Sequence, residues 1–245
     1  MIKVDDIWKQ TVIYLNEYAP EMEEATFSDE AFGAEAKADI LAHIDAAARM
    51  VAQIAPANMQ VAKTLKADST PAFTLTLAQR PDGRNHATAE LPSDYMRLVY
   101  LLADGLYRPI TALLPSTHPT YAMQYCPIPG LGAGAYAPIG YQVDGTIDVH
   151  SFDSENENDN QNDNQNENEN QVGATICYLA LPKIEDVTSG GTTYKAYTTL
   201  KEELRDVIAM QAAALYLGMQ ESAKAQQAQQ IATGMLTGLI EEADK

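Results

Sequence analysis

Cysteine and basic side chains are scarce in this 245-residue chain, and each shortage closes off a class of function. The two cysteines, Cys126 and Cys177, lie far apart with no CxxC or Cys/His grouping around either. Neither a disulfide framework nor a thiolate zinc site is expected, and both read as reduced thiols packed in a β layer. Lysine and arginine number 16 against 34 acidic residues, which gives a formal net charge of −18 and a pI near 4.4. Sequence-independent binding to nucleic acid needs clustered cations to neutralise phosphates. Here they are scattered, from Lys3, Lys9 and Arg49 through Lys63, Lys66, Arg80, Arg84 and Arg97 onward. Adhesion to DNA or to an anionic membrane is not expected, whereas passage of DNA without sticking fits. No apolar run approaches the ~20 residues that span a bilayer, and Met1–Asp6 contains no apolar signal core. A soluble protein of a reducing cytoplasm is the expectation.

What is present is enough to fold. Apolar residues make up 46% of the chain, an ordinary share for a protein with a real core. The pattern is helical at both ends and β in the middle: residues 1–66 helical, 72–152 and 172–183 a β block, 153–171 a polar insertion, and 198–243 helical. The fold class predicted is α+β, a single domain over 1–245. It comprises an N-terminal helical hairpin, a central antiparallel β block with hairpins, and a C-terminal helical pair.

Val4, Ile7, Trp8, Thr11 and Leu15 form one helical stripe, and Ile40, Ile44, Ala47, Ala48, Val51 and Ile54 form a second. Ser28 suits an N-cap for the second helix, and Pro56 ends it. The two helices are expected to cover each other, with Trp8 as their anchor. From Ala72 the period changes to two: Phe73, Leu75 and Leu77 alternate with threonines, Pro81–Asn85 turns the chain, and Ala87, Ala89 and Leu91 return. Arg97–Leu102 reads as a further short strand. Tyr136–Val143 and Thr146–His150 flank Asp144-Gly145, a strong two-residue hairpin signal. Val172–Leu181 reads as one more strand. Leu200, Leu204, Val207, Ile208, Gln211 and Leu215 then resume the helical period, Gly218 marks a break, and Ala228, Ile231, Met235 and Leu239 continue beyond it. The polar face of that last helix carries Gln226, Gln227, Gln229 and Gln230 with almost no charge, so it either lies against another helix or is simply solvated.

No catalytic constellation is apparent. His43, His86, His118 and His150 fall in different elements, and no serine or cysteine elbow accompanies them. No metal site and no cofactor are expected. From Asn156 to Asn170 every even position is Asn and the odd ones are acidic or Gln, a tract with nothing to bury and therefore read as an exposed insertion. A calcium loop would need a central glycine and flanking helices, and neither is there. Gly130-Leu131-Gly132-Ala133-Gly134 loosely matches a dinucleotide fingerprint. Pro127-Ile128-Pro129 before it and Tyr136-Ala137-Pro138 after it are the wrong context for a strand-to-helix phosphate turn, so a partner-contacting loop is the better reading. Eight tyrosines crowd residues 95–178, among them Tyr136 and Tyr141, and suit either half-exposed strand faces or protein interfaces.

In order and texture the chain resembles the head–tail connector (adaptor or ring) proteins of tailed bacteriophages, of the short-tailed or crAss-like type. The N-terminal helix segment Ile44-Asp45-Ala46-Ala47-Ala48-Arg49 carries the resemblance. So do Leu91-Pro92-Ser93-Asp94-Tyr95-Met96-Arg97-Leu98, similar to an LPxDYxRL pattern, the strand Cys177–Pro182, and the Ala-rich segment Ala212–Leu217. The Asn tract is a departure from that pattern. The resemblance implies a non-enzymatic structural subunit of the virion neck, assembled in the host bacterial cytoplasm. It implies a homo-oligomeric ring, commonly a dodecamer, joining the portal protein to a tail or second ring protein, with DNA passing through unbound. A stopper or tail-hub component is the neighbouring alternative, and a nucleotide-binding enzyme using Gly130–Gly134 the remoter one. Assembly contacts would come from Gly130, Gly132, Gly134, Tyr136, Tyr141, Leu215, Gln226, Gln227 and Gln230.

Overall fold

The computed structural model describes residues 1–18, 34–79, 85–124, 136–152, 171–219 and 224–243. In chain order the elements begin with β1 (Ile2–Lys3), α1 (Val4–Tyr18), α2 (Ala34–Ile54), β2 (Lys63–Lys66), β3 (Thr74–Gln79) and β4 (Asn85–Glu90). They continue with β5 (Tyr95–Ala103), β6 (Leu113–Pro115), α3 (Pro119–Met123), β7 (Gly140–Val143), β8 (Thr146–Phe152) and β9 (Gln171–Ala180). The chain finishes with β10 (Ile184–Ser189), β11 (Thr192–Tyr197), α4 (Arg205–Met219) and α5 (Ala225–Ala243). The protein is α+β, with helices at the start, antiparallel sheets in the centre and a helical pair at the end. It forms two compact units, one of residues 1–61 with 181–245 and one of residues 62–180.

The first unit is organised by α4. Every residue from Val207 to Ala214 is buried, as are Tyr216 and Leu217, so this helix is covered on nearly all sides and sits in the middle of its neighbours. Ala209, Ala212, Ala213 and Ala214 keep its profile thin, which lets α1, α2 and α5 all pack directly on it. The two N-terminal helices therefore meet through α4 far more than through each other. The expected α1 stripe is buried in full, including Thr11, whose hydroxyl donates to the Ile7 carbonyl at 2.8 Å. Trp8 is buried, and the Lys37 ammonium of α2 lies 5.2 Å from its ring centroid, a cation–π arrangement. Helix α2 stops at Ile54, just before Pro56. Gln60 closes that end by donating to the carbonyls of Ala52 (2.8 Å) and Ala55 (3.1 Å), at the end of a helix where the regular carbonyl–amide ladder stops. Helix thus ends well short of residue 66. A small sheet in the order β1-β11-β10 completes this unit, its hairpin turned by Gly190 and Gly191, both at positive φ.

The second unit is the β block. Its strands run β2-β9-β3-β4-β8-β7-β6, and β5 also pairs with β9. Lys63–Lys66, expected as helix, is strand β2, hydrogen-bonded to the far half of β9 across Thr175–Tyr178. All pairings are antiparallel except β6 with β7. The β7–β8 hairpin turns at Asp144 (φ 45°) and Gly145 (φ 85°), the two positive-φ positions that a type I′ turn demands and the reason for that dipeptide. Phe73, Leu75, Ala87, Leu98, Leu101, Ile147, Val149, Ile176 and Tyr178 form the core. In the LPxDYxRL-like segment, Asp94 has a structural role. It accepts from the Tyr178 hydroxyl at 2.8 Å and from the Lys63 ammonium at 2.8 Å, tying the start of β5 to β9 and β2.

Candidate functional site

Strand β8 has two buried faces of opposite character. Ile147 and Val149 point into the hydrophobic core, so the strand alternation sends Asp148 and His150 to the other side. Thr88 of β4 pairs with Asp148, which brings His86, two residues before Thr88, opposite this polar face. A bulge between Asn85 and Ala87 adjusts its position. Tyr141 on β7 pairs with Asp148 from the other neighbouring strand, and Tyr121 and Gln124 reach in from α3 and its end.

The result is a convergent cluster. His86 Nδ1 lies 3.0 Å from Asp148 Oδ1, and His150 Nε2 lies 2.8 Å from Asp148 Oδ2. The Tyr121 hydroxyl donates to the same Oδ2 at 3.3 Å. The two imidazoles stack with centroids 5.5 Å apart, and Tyr121 and Tyr141 meet His150 edge-on. The Tyr141 hydroxyl accepts from Gln124 and donates to Thr120 Oγ1, both at 3.1 Å, so the ring that walls the cluster is itself held. The side chain of His150 is fully buried, that of Asp148 is 8% exposed and that of His86 23%, leaving one side open to solvent. Burial pushes the Asp148 carboxyl up. The hydrogen bonds and attraction of His150 and then His86 outweigh this and hold it below the ordinary carboxylate range. Among the described residues these three side chains are the group whose ligand atoms gather closely enough for a metal ion, all within 4.8 Å of one another. Sequence reasoning missed this cluster. The spacing Asp148-Val149-His150 was its one local signal, and His86 joins it only through strand pairing.

The residues expected to make assembly contacts are dispersed. Tyr136 is 70% exposed and stacks on the equally exposed Tyr107, their centroids 4.4 Å apart. Tyr141 is fully buried and serves the cluster above, so its aromatic face is not available to a partner. Gly130, Gly132 and Gly134 lie outside the described residues, as do Cys126, Ser28, the Pro81–Arg84 turn and the Asn156–Asn170 tract. Leu215 is half-buried in α4.

Gln226, Gln227 and Gln230 are exposed on α5, whose buried side is Ala228, Ala232 and Leu236 against α4. Gln211 of α4 and Gln229 of α5 fix that pairing with two reciprocal amide hydrogen bonds of 2.8 and 3.0 Å. No charged residue occurs from Ala225 to Ile240. Beside α5 runs an open groove lined by Met50 and Ile54 of α2 and by Thr233, Leu236, Thr237 and Ile240. Ile54 is 63% exposed there, and Met50 43%. Comparison with protein-family models and with curated proteins gives no match.

Proposed function

We propose that this protein is a structural subunit of a tailed-phage neck, forming a ring that joins the portal to tail proteins and lets DNA pass. The observation that carries the reading is the outer face of α5. A solvated helix normally alternates charge on its exposed side, whereas here Gln226, Gln227, Gln230, Gly234 and Gly238 face outward with no charge among them. Glycine inside a helix costs about 1 kcal/mol relative to alanine. A methyl group at Gly234 or Gly238 would meet no atom within 4 Å among the described residues, so no contact among them requires either glycine. Close approach of a helix from a neighbouring copy does, and the exposed Met50 and Ile54 supply apolar area beside it. Contacts of this kind, repeated head to tail and closed by rotation, build rings.

The connector-like order of elements and the acidic balance support the same reading. A net charge of −18 disfavours retention of phosphates, as a conduit for DNA requires. Portal on one side and a tail or second ring protein on the other are the proposed neighbours, with the virion neck as the location after assembly in the host cytoplasm. Quantitative mass spectrometry of purified virus particles, scaled against portal and major capsid protein, tests this. A copy number close to that of portal is expected. Absence from intact particles overturns the proposal, and cross-linking to tail proteins alone would move the subunit to a stopper or tail-hub position.

A further inference from the structure

We propose that His86, Asp148 and His150 form a binding site for a divalent transition-metal ion of the zinc type, independent of the ring reading. Two imidazole nitrogens and a carboxylate on adjacent strands converge on one volume, with each nitrogen already 2.8–3.0 Å from a carboxylate oxygen. Ligands around a tetrahedral ion with bonds of about 2.0–2.1 Å sit roughly 3.3 Å apart. Each nitrogen–oxygen pair therefore needs to open by only a few tenths of an ångström, and with all three ligand atoms within 4.8 Å of one another the widest pair closes by at most about 1.5 Å to take one up. The donor set selects the ion: two imidazoles favour zinc and its first-row neighbours, whereas calcium and magnesium take oxygen ligands. His86 Nδ1 and His150 Nε2 would be the ligating nitrogens, and the half-open side at His86 leaves room for an external ligand in the remaining position.

The energetics of the bare cluster point the same way. A carboxylate and two imidazoles occupy a buried sheet face where apolar side chains of similar volume would serve stability as well or better. Edge-on Tyr121 and Tyr141 wall the site, and Gln124 and Thr120 fix the Tyr141 hydroxyl, so the donors are held in place by a supporting layer. Such support is what a preorganised site needs, and a simple core does not need it.

The test uses the full-length protein, stripped with chelator and titrated with zinc chloride by calorimetry, with cobalt(II) as a spectroscopic probe. One equivalent per chain is expected, with a rise in melting temperature and the visible absorption of tetrahedral cobalt. His86→Gln sits at the open edge and should fold as the wild type by circular dichroism. It should weaken zinc binding by more than about tenfold. His43→Gln, on α2, should leave binding unchanged. The proposal is overturned if no saturable binding occurs. It is equally overturned if folded His86→Gln binds as tightly as the wild type, or if His43→Gln removes the binding.

Discussion

Replacing Asp94 with alanine should loosen the β block by about 2 kcal/mol, and the sum can be worked from two contacts. The Tyr178 hydroxyl donates to Oδ1 at 2.8 Å from a position only 2% exposed. A hydrogen bond to a charged acceptor contributes about 1.5–3 kcal/mol, and with Asp94 one-third exposed the lower end applies. The Lys63 ammonium adds a partly exposed ion pair at 2.8 Å, for which about 0.5 kcal/mol is reasonable. Because Asp94 ties β5 to β9 and β2, the readout is amide exchange of Leu98–Ala103 and Ile176–Ala180, which should accelerate roughly 30-fold. A double-mutant cycle with Tyr178→Phe should return a coupling of about 1.5 kcal/mol. The pH dependence has a definite sign. Burial raises the Asp94 carboxyl, but its bonds to Lys63 and Tyr178 outweigh that and leave it below its usual 3.8. A carboxylate depressed in the folded state stabilises at every pH above its unfolded value, and that contribution disappears as pH falls through the folded value. Wild type and Asp94→Ala should therefore differ fully at neutral pH, and the difference should shrink as pH falls below 3.8 and through the lowered folded value. A coupling under about 0.3 kcal/mol, or a difference that persists in acid, would refute the assignment.

Three further substitutions probe other parts of the chain. Gln229→Ala strands the buried Gln211 amide and should cost about 1–2 kcal/mol in chemical denaturation, and a neutral result would mean that water replaces the partner. Gly145→Ala forces a side chain into φ 85° and should destabilise the β7–β8 hairpin by about 1–2 kcal/mol, seen as a lower melting temperature. Gly234→Ala should raise the stability of the isolated subunit by up to about 1 kcal/mol while weakening self-association in sedimentation or light scattering. Association unchanged by that methyl group would remove Gly234 from any interface.

Elements whose signal is local were legible in the sequence. The α1 stripe, the Phe73-Leu75 alternation and the Asp144-Gly145 turn each declare themselves within a few residues, and each stands in the structure. Helix α4 was legible as a helix but not as the hub, because its further faces are largely alanine, which suits a solvated helix as well as a buried one. Lys63–Lys66 continues a helical neighbourhood in sequence, and its strand character comes from β9, more than a hundred residues away. The cluster at Asp148 was hidden for the same reason: the Asp-x-His spacing is visible, but an ordinary hairpin strand would show it too. His86 enters from β4, 62 residues earlier in the chain, through a pairing and a bulge that no local pattern encodes.

The abundance of tyrosine over phenylalanine, 13 against 4, has a physical explanation in the charge balance. With 34 carboxylates and 16 basic side chains, most acids cannot find a cation, and those drawn partly inside still need donors. A phenol supplies one while bringing its own apolar area, so it can be buried where lysine cannot. The structure uses this repeatedly: Tyr121 donates to Asp148, Tyr178 to Asp94, and Tyr197 to Asp45. Burial first, and then the neighbouring carboxylate, push Tyr178 and Tyr197 above the usual phenol range, which keeps each a donor across the whole working pH. Read from sequence alone, the tyrosines suited either half-exposed strand faces or interfaces. Their positions show that several of them serve instead as interior hydrogen-bond partners that let a strongly acidic chain keep polar groups inside: Tyr141 for Gln124 and Thr120, and Tyr121 and Tyr178 for carboxylates.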